Sequence, residues 1–356
     1  MERSGGPSVN KSLYLVVAAG LGGLLASQPA LAQDMTSMTF NGTTVTLGGG
    51  VQYLSLPDIR FVGRGTPGGF TRPNNSDFGE YGGAAGGGIE TALGYMGGYR
   101  VSGQIKGFFS NVSNDERSAC RGTACTVVDP TGVDVISGPA PLLTKTDRDA
   151  DYWGGAVEFK FAGGEPVQVK PNLYRNDYFI IGADVRGIDQ DNRLRGRFDG
   201  DPIYFYKETL DTTYTGAYIG LGCEYSLGFL PTTGGMMDRL GLRTFLSARA
   251  GLYNADTDYR GAYSDLTGFS SVLSQSNDEL AFIGSVALET RKQIGTRTSL
   301  SLWTDYEYIS SVPEMRYANG TGSPTRIEDD SAFLTRTMLR LNIGLGSAGL
   351  YPEPVK

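Results

Sequence analysis

Ten stretches of this chain alternate apolar and polar residues one by one, a period of two that a helix cannot use, because a helical face recurs every three to four residues. In YRVSGQIKGFF (residues 99–109), Tyr99, Val101, Ile105 and Phe109 fall on one parity, and Arg100, Ser102, Gln104 and Lys106 on the other. The segments run over approximately 43–56, 81–94, 99–111, 151–162, 178–188, 213–229, 239–254, 279–292, 299–310 and 332–346. Each reaches or exceeds the about 9–11 residues with which a tilted strand crosses a bilayer. After residue 32 no apolar run approaches the ~20 residues of a spanning helix, so an all-β chain is predicted.

Connection lengths then separate one β architecture from another. Short links, YMGG, PTTGGMMD and KQIGTR, with a medium one around GGEPVQVKPNLYRN, alternate with long ones over 57–80, 112–150, 189–212, 255–278 and 311–331. That alternation predicts a transmembrane antiparallel up-and-down barrel of ten strands, with short periplasmic turns, long extracellular loops and both termini periplasmic. The longest loop contains TVVDPTGVDVI, which reads as a hairpin around Pro130, Thr131 and Gly132. Were its arms, or PVQVKPNLY, long enough to cross, the count would be twelve.

The start of the chain suits such a barrel. Arg3 and Lys11 precede SLYLVVAAGLGGLLA and then SQPALA, the order of a cleaved secretory signal ending at Ala32. The expected division is a signal peptide over 1–32, a periplasmic segment over 33–42, the barrel over 43–346 and a periplasmic tail over 347–356. A net charge of −7 argues against a nucleic-acid partner. The 52 glycines and 20 tyrosines among 356 residues suit close-set strands and membrane interfaces. In an exported protein Cys120 and Cys125, within CRGTAC, can close a small disulfide ring, while Cys223 sits alone in a strand pattern.

The apolar parity has to face either a core or lipid. Its aromatics gather near strand ends, as amphipathic rings do at membrane interfaces. Tyr95, Tyr99, Phe161, Phe179 and Phe229 fall at the turn ends; Tyr53, Tyr81, Phe109, Trp153, Phe282, Tyr306 and Tyr308 fall towards the long loops. Lipid is the reading this favours, and the polar parity then lines the lumen: Glu90, Arg100, Lys106, Glu158, Lys160, Asp184, Arg186, Glu224, Arg239, Arg243, Arg249, Glu289, Arg291, Asp305, Glu307, Arg336 and Arg340. Ten of these are basic and seven acidic, so the lumen is relatively positive in an acidic chain. In a soluble sandwich the same charges would only coat a solvated face.

With YWGGAVEFKF and LRTFLSARAGLY added to YRVSGQIKGFF, the chain resembles Gram-negative outer-membrane β-barrel proteins of the porin-like type. The resemblance is architectural and rests on no sharp family motif. It implies an outer-membrane location, with outer-membrane lipid and lipopolysaccharide as surroundings. Such barrels commonly end in an aromatic residue, whereas this sequence ends GLYPEPVK. The resemblance also implies that enzymes of the class, omptin proteases and lipid-modifying barrels among them, use a histidine, and this chain has none. Without histidine, Ser-His triads and the usual His-containing metal sites are excluded, and neither an enzyme nor a cofactor or metal is expected. Asp305 and Glu307 could act as a carboxylate pair, but flanking arginines favour an ion-pair network. The acidic stretches DQDNRLRGRFDGD and DTDYRG place Arg where a Ca²⁺ loop needs oxygen, so they read as charged surface. Their Arg193, Arg195 and Arg197 could meet lipopolysaccharide phosphates.

Two functions remain. In the favoured one the barrel is a narrow porin-like passive pathway for small anionic or zwitterionic solutes, with Arg239, Arg243, Arg249, Arg336 and Arg340 as selectivity residues, because lumenal arginine left over after pairing needs water. In the alternative a ten-strand lumen is filled by its own side chains, and the barrel serves structure or surface recognition through its extracellular loops. Oligomeric state has no signal in the sequence.

Overall fold

The computed structural model describes residues 42–64, 72–120, 125–128, 135–138, 142–163, 167–170, 173–198, 201–225, 242–266, 268, 270–316 and 326–345. Its thirteen strands form one antiparallel sheet. Ten long ones make the wall: β1 (Thr43–Arg64), β2 (Arg72–Met96), β3 (Tyr99–Cys120), β6 (Leu142–Ala162), β8 (Leu173–Phe198), β9 (Asp201–Tyr225), β10 (Leu242–Asp265), β11 (Ser270–Gly295), β12 (Thr298–Arg316) and β13 (Arg326–Leu345). Each pairs with its sequence neighbour in the wall, and β1 closes the ring against β13 from Thr43↔Leu345 to Ser55↔Phe333. Closure leaves no wall strand unpaired along the lower part of the wall, whereas higher up β1 and β13, β2 and β3, and β11 and β12 part beyond Ser55/Phe333, Gly83/Asn111 and Ile283/Ile309.

Three short strands complete the set: β4 (Cys125–Val128), β5 (Val135–Gly138) and β7 (Val167–Lys170). The hairpin expected in TVVDPTGVDVI is β4–β5, attached to the far end of β1 through Val62↔Val127. PVQVKPNLY folds β7 back onto β8. Neither joins the wall, so the ring has ten strands and the twelve-strand alternative falls.

Turn chemistry is visible where β2 meets β3. Met96 pairs with Tyr99, leaving Gly97 (φ 58°) and Gly98 (φ 86°) as a two-residue loop. Positive φ at both central positions is what a tight hairpin with right-twisted strands requires, and glycine supplies it without strain. The β11–β12 connection, between Gly295 and Thr298, is equally short. These links lie at one end of the barrel, here the short-turn end.

The wall strands are far longer than predicted, from 19 residues in β12 to 26 in β8 and β11. Segments expected to be long loops, such as 189–212 and 255–278, are largely strand. The reason is an inversion of the two faces. Along β10, Ala248, Ala250 and Leu252 point outward near the short-turn end, then Asn254, Asp256, Asp258 and Arg260 take the same outward parity. Inside, the sequence changes from Arg249 to Tyr253, Ala255 and Tyr259. The lower part of the wall is apolar outside and ionic inside; the upper part, a collar, is charged outside and filled inside by tyrosines, aliphatic side chains and hydrogen-bonded polar groups.

Aromatics mark the boundary. Tyr53 meets Tyr81 at 5.1 Å and Tyr308 meets Phe333 at 5.2 Å, while Phe109 pairs in register with Trp153. Trp153 lies across Gly187, where an added Cβ would sit 2.3 Å from the indole, and its Nε1 donates to Asp189 at 3.0 Å. Just beyond, Asp151, Asp189, Asp211 and Asp258 form a row across four neighbouring strands. Such a row needs water, so the apolar belt ends there. Desolvation first, then Asp189 and Asp258, raise the Asp211 carboxyl.

Val157, on β6 in the middle of the belt, faces outward beside inward Glu158. Replacing Val157 with Arg is expected to cost about 2–4 kcal/mol of stability in vesicles, the penalty for a cation at the lipid midplane. Urea unfolding in lipid measures it; an unchanged midpoint would mean that the faces have been assigned the wrong way round.

Candidate functional site

Strand parity delivers the predicted lumen residues to one place. All of them except Arg239, which lies outside the described residues, line an internal cavity of ≈ 300 Å³ towards the short-turn end. Tyr178, Trp303, Phe108 and Asn176 share the lining. These four were missed because the sequence reading searched the polar parity for charge alone.

The deepest part of the cavity is an ionic layer that reaches across the lumen. Arg186 of β8 bonds Asp184 at 2.6 Å on its own strand and Glu307 of β12 on another. Tyr152 of β6 also donates to Glu307, and Arg186 Nη1 reaches the Tyr152 hydroxyl at 3.1 Å. Arg336 of β13 holds Asp305 at 2.8 Å, lies 3.6 Å from Glu307, and stacks 4.0 Å from the Phe108 ring centroid. Asp305 and Glu307 are therefore gripped by arginine, as a network and not as a free carboxylate pair. Removing one member of such a buried group strands the other's charge, at about 3–5 kcal/mol.

Nearer the turns the charges pair locally. Glu158 accepts from Lys106 at 2.5 Å and from Tyr218 at 2.8 Å, with Arg249 at 3.3 Å. Arg291 meets Glu289 at 2.8 Å and Arg243 meets Glu224 at 3.5 Å. Of the nine cations lining the cavity, three have no carboxylate within 4 Å among the described residues: Arg100, Lys160 and Arg340. Lys160 sits over the Tyr178 ring at 4.1 Å and Arg340 over the Trp303 ring at 3.6 Å.

Beyond the ionic layer the lumen is packed with apolar side chains. Leu54, Val112, Ile188, Tyr214, Ile309 and Leu334 enter one buried cluster from six different strands, and Tyr152 belongs to both layers. Tyr214 donates to the Ser311 carbonyl at 2.9 Å across that layer. Higher still, within the collar, Tyr206 and Tyr259 hydrogen-bond each other and both reach Glu208 at 3.2 Å. Asn192 donates to Glu208 at 3.0 Å, and Arg148 donates to Asn192 at 3.2 Å.

An apolar belt edged by aromatics surrounds a charged interior. The wall is organised as an antiparallel up-and-down β-barrel. No family model matches the chain, and no curated protein does. Solved structures similar to it include the outer membrane protease OmpT from Escherichia coli, at TM-score 0.47 and 10% identity over 88% of this chain and 99% of that one. An outer membrane channel from Pseudomonas putida F1 is similar at 0.23 and 10%, over 90% and 100%. The Pseudomonas putida toluene transporter TodX is similar at 0.24 and 8%, over 88% and 96%. At this level of likeness no activity passes from those proteins to this barrel.

Other predicted positions fall elsewhere. Cys120 ends β3 and Cys125 begins β4, but their side chains, and so the predicted ring, lie outside the described residues. Cys223 is a free, half-buried thiol on the outward parity of β9. No group of potential metal ligands occurs among the described residues. Residues 1–41, with the predicted signal and most of the following segment, are not described.

At the collar, Asp329 accepts from Ser311 at 2.9 Å and is joined by Glu279. Burial, then the Glu279 carboxyl, pushes Asp329 up to about 6. A raised carboxyl pKa means the folded collar holds its proton more tightly than the unfolded chain. The stabilisation is lost as pH rises from about 4 towards 6, and the ionised pair repels above that. A carbonyl titration is expected to show a carboxyl with a midpoint near pH 6 that Asp329→Asn removes; persistence of that signal in the variant would place the shared proton elsewhere.

Proposed function

We propose that this chain is an integral outer-membrane barrel with a closed lumen, its short-turn end in the periplasm and its collar outside the cell. It works as a structural or surface-recognition element, the alternative that the sequence left open. One observation carries the reading: Arg186, Glu307, Tyr152 and Arg336, from four separate strands, bond across the lumen directly beneath a desolvated apolar layer. An ion crossing this seal would shed its hydration against Leu54, Ile188 and Leu334.

Unpaired lumenal arginine needs water, which a narrow pathway would supply. Arg100, Lys160 and Arg340 lie below the seal and line the cavity. Their hydration is met from one side and supports no through route.

Above the belt, the collar presents a broad polar wall built on strands, a more rigid platform than the long loops expected from the sequence. Arg193 pairs there with Asp191 at 3.1 Å, while Arg195 and Arg197 are exposed on the same outer parity of β8. These guanidinium groups climb the outer face of the collar to Arg197 beside the β8–β9 turn, and their chemistry suits contact with lipopolysaccharide phosphates.

Reconstituted in a planar bilayer, the unaltered barrel is expected to give no discrete current steps. The Tyr152→Ala, Arg336→Ala double variant, which opens the seal, is expected to give them. Anion-selective steps from the unaltered protein would reinstate the narrow pathway.

A further inference from the structure

Below the seal, the cavity carries more positive charge than its own carboxylates neutralise. Its lining includes nine basic and seven acidic residues. The excess is concentrated in side chains with donors left over. Arg336 is almost fully buried and satisfies Nη2 with Asp305, yet its Nε and Nη1 have no hydrogen-bond partner among the described residues. Arg340, four residues along the same inward face of β13, forms no ion pair among the described residues. One face of its guanidinium is covered by Trp303 at 3.6 Å, leaving the edge donors free. Its stem is held as well: Gly48, opposite it on β1, would bring an added Cβ within 2.7 Å of Arg340 Cγ. Across the space Glu289 attracts Arg340, as Asp305 does less strongly, while Arg336 and Arg249 repel it.

Unsatisfied guanidinium donors, fixed in orientation by an aromatic face and a glycine wall, are how proteins prepare a site for an oxyanion. The charge excess matches a dianion, and the volume lies at the lower end of that found for small-molecule pockets, enough for a phosphate bearing a small organic group. We propose that the lumen is a dead-end receptor for a small phosphomonoester or similar dianion, entered from the short-turn end and bound between Arg336 and Arg340, with Lys160 adding charge at the wall. This goes beyond the closed-barrel reading and depends on it only for the side of entry.

The chain offers its own probe, because it has two tryptophans. Trp303 lies beneath Arg340 in the cavity, and Trp153 lies on the outer wall. The Trp153→Phe barrel, folded in micelles where both ends are open to solvent, reports on the cavity alone. Glycerol 3-phosphate, added at constant ionic strength, is expected to change Trp303 emission in a saturable way, whereas glycerol and extra chloride are not. In the same background Arg340→Gln is expected to weaken binding by about tenfold or more, Arg340→Lys by less, and Lys160→Gln by a few fold, from the loss of charge-assisted hydrogen bonds.

Calorimetry checks each titration independently of the fluorophore, and the shift in gel mobility on boiling shows that every variant is folded. Should Arg340→Gln fail to fold, Lys160→Gln carries the comparison. No saturable signal by either method overturns the proposal. So does equal binding by chloride, or full affinity retained in both charge-removing variants. Because no membrane separates two compartments in this experiment, a conducting barrel would leave its result unchanged, and the planar-bilayer measurement judges that question separately.

Discussion

Backbone pairing without an edge is the constraint on which everything else rests. In hydrocarbon an unpaired amide or carbonyl costs several kcal/mol, so a β-structure can lie there only if its first strand meets its last. The β1–β13 ladder meets that demand over thirteen pairs in register. Once the ring is closed, every residue is committed by parity to one of two surfaces. The chemistry of each surface then follows from what lies beyond it at that height.

Height is the second variable, and it reverses the chemistry. Within the belt, Ile105, Val157 and Ile219 face outward while Lys106, Glu158 and Tyr218 face in. In the collar, Asp211 and Asp258 face outward while Thr212, Tyr214 and Tyr259 face in. Two walls of opposite chemistry are thus stacked on the same ten strands, and only the lower one closes as a complete ring. The buried apolar cluster near the aromatic boundary anchors the collar, much as a core anchors a soluble domain. The ionic layer beneath it satisfies charges that face neither lipid nor bulk water.

Much of this was legible in the residues. Alternation with apolar residues on one parity marked the lower part of the wall strands, and the charged residues of the other parity, Arg239 aside, lie around the cavity. The collar was not legible, because DQDNRLRGRFDGD reads as loop when charge and glycine are counted. Only the inward positions, Gln190, Asn192 and Leu194, show that its period of two continues. The seal was hidden for another reason. Tyr152 shares parity with Glu158, but its meeting with Glu307 spans 155 residues and depends on register around the ring. Parity gives a direction, whereas depth and partner come from closure.

On the proposed closed-lumen reading, the seal near the outer aromatic boundary also decides where electrical and chemical gradients fall. Ions would follow the lumen from the short-turn end only as far as Arg186 and Glu307, so with that end in the periplasm a potential across the outer membrane would drop over the packed layer above them. The charged space below stays at periplasmic potential, pH and ionic strength. In electrochemical terms that cavity is a recess of the periplasm that reaches most of the way through the membrane, and whatever occupies it equilibrates with the cell side without sensing the outside.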